Sequence, residues 1–357
     1  MKIVVLLAGM TRGGIDLFQS LLDSHPQISQ LPGKFYVDDF LKKIDKNFAS
    51  NQIADLFIKD YKEYFDSRLN IVERHNNLGP KKNEFYIVDK YKFKEKFINL
   101  FKNQNIEKKN IIINLHLAYS YAAGENLQDK KILVLQIHHF FRIESIVELD
   151  FDIICTIRDP IASHSSYVKN LATFNKKLIN PWQYYYHIER NFSHIINLSR
   201  LNKNINVIKL ERLHRNNSDV MQKFCKKFKI NYNKILNTST FRGKLWWGDQ
   251  VSKIYLNGVN KKFENKIDYD LFFKSDIETI EYFLENYIVS YNYTFKSDKK
   301  FFRMKKYLPF KVDKIIFLQS LKKLNLKNLA LCIYYYYKRL KLLDKKFLDK
   351  AQYPSEI

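Results

Sequence analysis

Five consecutive apolar residues, Ile3 to Leu7, run into a loop with glycines at positions 9, 13 and 14, and an amphipathic segment starts directly after it. An uninterrupted apolar run is what a strand buried on both faces requires. Beyond the loop, Leu17, Phe18, Leu21 and Leu22 recur at helical spacing until His25-Pro26 ends the pattern. Strand, glycine turn and helix in that order confine the chain to a small set of α/β folds, because the strand is buried only inside a parallel sheet with helices on its faces. Ile132 to Ile137, Ile153 to Ile157 and Val207 to Leu210 read as further buried strands, with helical segments such as Trp182 to Leu201 and Ser218 to Phe228 between them. The expected fold is a doubly wound, parallel α/β sheet flanked by helices. A chain of 357 residues is long enough to bury such a core.

Between the strand candidates, residues 34–110 read as a helical insertion, and Ile111 to Ala123 fits either a strand or a helix. Ser275-x-x-Glu278 has the form of a capping box opening a helix that runs to about Ser290. After Thr294 the composition shifts to Lys, Leu and Tyr, so residues 1–295 are expected to form one α/β domain and 296–357 a basic, aromatic-rich helical extension. The 61 Lys and Arg against 37 Asp and Glu favour polyanionic partners. The segment from Lys296 to Lys350 holds 17 of those cations and only four Asp, which is more than half of the net charge. It reads first as a solvated helical appendage and second, over residues 296–350, as a peripheral contact with anionic membrane. No nucleic-acid-binding module is recognisable, so specific nucleic-acid binding is not expected.

Cys155, Cys225 and Cys332 are far apart and form no CxxC pair, which points away from a disulfide framework or zinc cluster and toward a reducing compartment. The opening apolar run leads into a glycine turn rather than a cleavage site. No stretch approaches the roughly 18 to 20 uncharged apolar residues of a membrane span. A cytoplasmic protein, peripheral to the inner face of the membrane at most, is expected.

The loop Gly9-Met-Thr-Arg-Gly-Gly14 has the G-x-x-x-x-G frame in which backbone N–H groups and a helix N-terminus cradle phosphate oxygens. A kinase or ATPase needs Lys and then Ser or Thr next, for the phosphates and for Mg²⁺. Here Ile15 and Asp16 follow instead. A metal-dependent site is thereby disfavoured, no metal is expected, and Arg12 becomes the cation of the loop. The strand Ile153 to Ile157 then delivers Arg158-Asp159-Pro160, with Ser166 eight residues after Arg158. An arginine leaving the carboxyl end of a parallel strand presents a planar fork to an anion in the crevice. The plain alternative is an ion pair between Arg158 and Asp159, with Ser166 capping a helix.

The segments GMTRGGIDLFQSLLDSHPQI and CTIRDPIASHSSY together resemble the two signatures for 3′-phosphoadenosine 5′-phosphosulfate (PAPS) in the sulfotransferase superfamily, which has a P-loop-like nucleotide fold. The likeness is to bacterial or carbohydrate-type members. LQIHHFF is similar to the strand end carrying the family's catalytic histidine, VIKLERL to a later strand end, and FRGKLWWGD to the segment that closes over the nucleotide. The match spans roughly residues 1 to 255, anchored at about five short places.

The resemblance implies that Thr11, Arg12, Gly13, Gly14, Ile15 and Asp16 form the 5′-phosphosulfate cradle, with Arg12 near the bridging oxygen. It implies that Arg158 and Ser166 hold the 3′-phosphate, assisted by Arg242, Gly243 and Lys244, with Trp246 or Trp247 near the adenine or packed in the core. His138 is the implied general base, with His139 one residue away and His116 third. The family usually has Ser at the position of Gly13 and hydroxyl residues at 15 and 16. Asp16 therefore places a carboxylate near a polyanion unless it points away or caps the helix N-terminus. The implied activity is sulfuryl transfer from PAPS, as cosubstrate, to a hydroxyl or an amine, with a carbohydrate or lipid-linked glycan the favoured acceptor. The alternatives are a P-loop small-molecule kinase and a non-catalytic member that binds polyanions or membrane surfaces.

Overall fold

The computed structural model describes residues 1–174, 179–199, 201, 203–250, 255–256, 258–298, 303–344 and 353–357. Residues 345–350, at the end of the basic segment, lie outside this set. Strand β1 (Lys2–Ala8) leads through the glycine loop to α1 (Ile15–Leu22) and β2 (Ile28–Gln30). A helical block follows, with α2 (Val37–Lys42), α3 (Ser50–Asp60), α4 (Lys62–Phe65), α5 (Lys90–Leu100) and α6 (Lys108–Ala122). The stretch that periodicity left open is thus a helix. Next come β3 (Ile132–His138), β4 (Phe151–Ile157), α7 (Pro160–Phe174), α8 (Pro181–Ser199), β5 (Ile205–Lys209), α9 (Leu210–Arg215) and α10 (Asn217–Phe228). The short hairpin β6 (Thr240–Phe241) and β7 (Lys244–Leu245) precedes α11 (Lys274–Phe283) and α12 (Glu285–Ser290). The chain ends with α13 (Lys311–Lys322), α14 (Leu326–Asp344) and β8 (Ser355–Glu356).

Six of these strands form one sheet in the order β2-β3-β1-β4-β5-β8, with every pairing parallel. The α/β fold with a parallel sheet flanked by helices is the one the apolar runs imply. Period-two alternation divides each strand between two cores. Ile3, Val5 and Leu7 join Leu133, Leu135, Ile153 and the aromatic cluster of the helical block on one face. Val4, Leu6 and Ala8 join Phe18, Leu21, Val220 and Phe224 of α1 and α10 on the other. The helical block is held by rings, among them Phe57 stacked on Phe93 at 5.4 Å.

Helix α11 corrects the expected capping box. Its first turn is closed by Asp276, whose carboxylate accepts from the Phe273 N–H at 2.9 Å, while Glu278 pairs with Lys305. The carboxylate at the third helical position wins because it reaches the exposed amide directly, and Ser275 lies inside the helix. The α13–α14 hairpin lies against α8, with Tyr335 stacked on Tyr185 at 5.3 Å and Asn328 donating to the Ile179 carbonyl. Sheet order places β1 between β3 and β4, so the carboxyl ends of these strands open one crevice at the point where the winding reverses.

Candidate active site

At that crevice lies a cleft of about 740 Å³, lined by the loop residues Thr11 to Asp16, by Lys34, His138, Arg158 and Arg190, and by side chains of α7, α8 and the 246–263 segment. Gly14 takes φ 84 and ends the loop immediately before α1, a conformation that costs a side-chain-bearing residue strain. Gly13 is required by contact instead. A Cβ there would sit 2.9 Å from the Thr156 carbonyl and 3.0 Å from that of Met10. The loop packs against β4 so closely that serine does not fit, which gives the departure at position 13 a physical reason.

Thr11 is pinned from behind. Its backbone N–H donates to Asn191 at 3.0 Å, its hydroxyl lies 2.5 Å from His187 Nδ1, and its carbonyl accepts from Ser163 at 2.6 Å. Arg12, with φ 58, faces the cleft and lies 3.5 Å from Asp249. Ile15 is buried at the start of α1. Asp16 turns toward the end of β3, accepting from Gln136 Nε2 at 2.6 Å and lying 3.7 Å from Lys34 Nζ. Lys34 also pairs with Glu73 at 2.8 Å. Burial works against its charge, but Asp16 and Glu73 overcome this and raise its pKa. Burial, reinforced by Asp16, raises the Glu73 carboxyl. The oxygens of Asp16, Glu73 and Asp249 all lie within 4.8 Å of one another, the one such cluster among the described residues. Each of the three already faces Lys34 or Arg12.

His138 reaches the cleft through an irregularity. The β1–β3 register slips between Leu6 and Leu7, and His138 takes φ 63, so its ring leaves the strand alternation. Its Nδ1 lies 4.0 Å from Asp16 Oδ1. His139 turns instead to α8, where Tyr186 OH lies 3.0 Å from its Nδ1. Burial, then Arg190 and Arg142, hold its pKa down to about 3. His116 is a core residue of α6 bonded to the Ile112 carbonyl at 2.8 Å, and burial lowers it to about 4. Of the three histidines the sequence offers, His138 alone lines the cleft.

Arg158 leaves the end of β4 as expected and does not pair with Asp159. Asp159 caps α7 by accepting from the Ala162 N–H at 2.9 Å, and its other oxygen lies 3.6 Å from Lys296. The Arg158 guanidinium donates to Asn265 Oδ1 at 3.0 Å, Asn265 donates to Glu211 at 2.6 Å, and Tyr287 OH holds the Arg158 carbonyl at 2.8 Å. Burial lowers the Arg158 pKa, while Glu211 supports its charge. Ser166 is half-buried on α7, whose contribution to the cleft wall is Tyr167, Asn170 and Leu171.

Arg242, Gly243 and Lys244 are not brought to Arg158. Arg242 and Gly243 form the turn of the β6–β7 hairpin and Lys244 opens β7; Arg242 pairs with Glu125, Gly243 N–H donates to Asp23 and Lys244 pairs with Glu84 at 2.7 Å. These carboxylates, from the segments just after α1, just after α6 and before α5, hold the hairpin away from the cleft. Trp246 is core, its indole donating to the Glu73 carbonyl at 2.6 Å, and Trp247 donates to the Gly79 carbonyl. The aromatic surface beside Arg158 is Phe263, 5.7 Å from its guanidinium and stacked on His214 at 4.3 Å.

Four cleft residues outside the sequence motifs complete the site: Lys34, Phe263, His214 and Arg190. Arg190 of α8 is only 4% exposed, donates weakly to the Ala8 and His138 carbonyls at 3.3 and 3.4 Å, and among the described residues has no carboxylate within ion-pair distance. A buried guanidinium with no carboxylate at ion-pair distance beside an open cleft favours an anionic ligand there.

No protein-family model and no curated protein matches the chain. Among solved structures it is similar to the sulfotransferase domain from the curacin biosynthetic pathway, with 15% identity over 82% of this chain and 98% of that one and a TM-score of 0.42. It is similar also to the sulfotransferase domain from the Synechococcus PCC 7002 olefin synthase, with 12% identity over 71% of this chain and 80% of that one and a TM-score of 0.39. Sulfotransferase STF9 from Mycobacterium avium matches with 12% identity over 83% of this chain and 78% of that one and a TM-score of 0.38. What the cleft can bind follows from its own residues.

Proposed function

We propose that this protein is a PAPS-dependent sulfotransferase acting on a hydroxyl or amine acceptor. The observation that carries the proposal is the convergence on one cleft of a glycine loop lacking the Walker lysine, Arg12 and Arg158 from two strand ends, and His138 beside the first turn of α1. The cradle suits an anion: Cβ atoms at Gly13 and Gly14 would collide with the loop's own supports, and Arg190 is a buried cation with no carboxylate partner among the described residues. PAPS, when bound, supplies an activated sulfuryl group and a 3′-phosphate that ATP lacks.

Arg12 and the amides after it hold the 5′ end and offset the charge that develops on the leaving oxygen. Arg158, held by Asn265 and Glu211, presents its guanidinium to the 3′-phosphate, and Phe263 on His214 offers the base an apolar wall. His138 takes the proton of the acceptor, and Asp16 favours the imidazolium that forms. Asp16 thus faces the base rather than the cradle. The acceptor we assign to hydroxyl-rich carbohydrates, lipid-linked glycans included, because Tyr167, Asn170 and Gln183 give the remaining wall aromatic and amide surface.

The test compares thermal stabilisation by adenosine 3′,5′-bisphosphate with that by ATP and Mg²⁺, since a ligand of the native state raises stability as RT ln(1 + [L]/Kd). Preference for the bisphosphate, lost in Arg158→Ala, is the expected result. The carboxylates Asp16, Glu73 and Asp249 favour one second reading, a metal-dependent kinase. Preference for ATP with Mg²⁺ would replace the sulfotransferase by that enzyme.

A further inference from the structure

The α13–α14 hairpin has two unlike sides. Its inner side is anchored: Val312, Ile316, Leu342 and Leu343 are buried, and Arg339, itself buried, pairs with Asp313. Its tip is not. Every residue from Leu321 to Lys327 is exposed, with Leu324 at 82% and Leu326 at 78% of full accessibility. Leu321, Leu324 and Leu326 alternate there with Lys322, Lys323 and Lys327. On α14 the apolar strip continues from Leu326 through Ile333 to Tyr337, positions that share one helical face. No acidic residue occurs between Asp313 and Asp344.

A solvated appendage does not account for leucines this exposed, because the tip would be as stable with polar residues. A second copy of the chain is an equally poor occupant, since joining two tips would bring two lysine fields together. A bilayer with anionic headgroups satisfies both features: the leucines enter the headgroup boundary and the lysines, on long apolar stems, remain with the phosphates. No described helix is long and apolar enough to cross a membrane. We infer that the α13–α14 hairpin docks the protein on an anionic lipid surface, with Leu324 and Leu326 inserted and Lys322, Lys323 and Lys327 contacting the headgroups. This goes beyond the chemistry of the cleft and does not depend on it. The hairpin is mounted on α8, which supplies Gln183 and Arg190 to the cleft wall, so docking sets the cleft beside the lipid surface.

The experiment is flotation of the full chain with vesicles of neutral phosphatidylcholine, alone or with phosphatidylglycerol, at low and high salt. Two variants accompany it. Leu324→Asp with Leu326→Asp suits the local backbone, because Leu324 has φ 47, a region Asp tolerates, and residue 326 opens a helix whose N-terminus favours a carboxylate. Lys322→Gln, Lys323→Gln and Lys327→Gln together remove only charge. Binding is expected to phosphatidylglycerol vesicles alone, weakened by salt, abolished by the Asp pair and reduced roughly a hundredfold by the triple Gln variant. Unchanged thermal melting of both variants would show that the fold is intact. No binding by the parent protein, equal binding to neutral vesicles, or unaltered binding in both variants would overturn the inference. So would a shift from dimer to monomer in the Asp pair, which would assign the tip to self-association.

Discussion

At the scale of single residues, the proposed function separates a nucleotide grip from a proton acceptor. Arg158 is buried and held by Asn265 at the end of β4, whereas His138 lies at the end of β3. Arg158→Ala is therefore expected to weaken adenosine 3′,5′-bisphosphate by about 10- to 100-fold, in line with the ~1.5–3 kcal/mol of a charge-assisted hydrogen bond. Titration calorimetry measures it. His138→Ala is expected to leave that affinity within about twofold while slowing sulfuryl transfer about 10²- to 10⁴-fold, the usual worth of a general base. Intact turnover in His138→Ala would dismiss the histidine as base. Arg190→Met makes the opposite trade: relieving a buried charge that has no carboxylate at ion-pair distance among the described residues should raise the melting temperature of the ligand-free protein by a few degrees, with a stability gain of about 1–3 kcal/mol, while impairing transfer. The places of Arg12, His138 and Arg158 on the cleft were legible because each sits in or beside a short motif at the end of an apolar run. Arg190 and Phe263 were not, since they arrive from segments whose sequence carries no phosphate-binding pattern and only the tertiary fold brings them to the crevice.

At the scale of elements, the glycine loop was readable as a turn, but its tightness was not. Substituting Gly13 by the serine usual in the resembling family would look like a repair. The Thr156 and Met10 carbonyls predict the reverse, because backbone cannot yield as a flexible side chain does. Gly13→Ser is expected to lose about 1–3 kcal/mol of stability and to bind the bisphosphate more weakly, as thermal melting with and without ligand will measure. The strands β1, β3, β4 and β5 were legible because burial on both faces removes ambiguity from the apolar pattern, whereas the two- and three-residue edge strands β8 and β2 are too short to show one. The β6–β7 turn was not, because the basic run Arg242-Gly243-Lys244 matches a phosphate-binding motif in composition while Glu125, Asp23 and Glu84 claim it in three dimensions. Composition reports charge, and only packing reports whether a charge is already paired. The α13–α14 hairpin shows the converse, with a basic composition visible in the sequence and an apolar tip visible only once the turn is placed.

At the scale of the whole molecule, the cleft and the C-terminal hairpin are joined by a buried polar chain. Thr11 of the loop meets His187, His187 Nε2 lies 3.1 Å from His164 Nδ1, and His164 Nε2 lies 3.3 Å from the hydroxyl of Tyr184, which faces the hairpin beside Asp313 and Arg339. His25, His75, His116 and His214 are also buried, and His75 and His116 act with His164 and His187. Burial lowers these last four, with His75 and His164 near 3 and His116 near 4. Between these values and the ordinary 6.5 the unfolded chain binds protons that the native state refuses, so the stabilisation is complete above about pH 6.5 and is lost as the pH falls. Each such group removes about 1.4 kcal/mol per pH unit in that window, so four remove roughly 5–6. Asp276, raised by burial to about 6, acts in the opposite sense, since the native state keeps its proton as the pH falls, and Glu63, Glu73 and Asp159, also raised by burial, act with it. His25, His139 and His214, lowered by burial, add to the four. Against a total stability of about 5–15 kcal/mol, the protein is expected to melt cooperatively near pH 5 at 25 °C. Circular dichroism across pH 7.5 to 4.5 checks this, and His75→Gln, at a site outside the polar chain, should flatten the slope by about one proton. A melting temperature constant between pH 7 and 5 would mean that these histidines are already paired with protons in the fold, and with it the neutral chain linking the loop to the hairpin would fall.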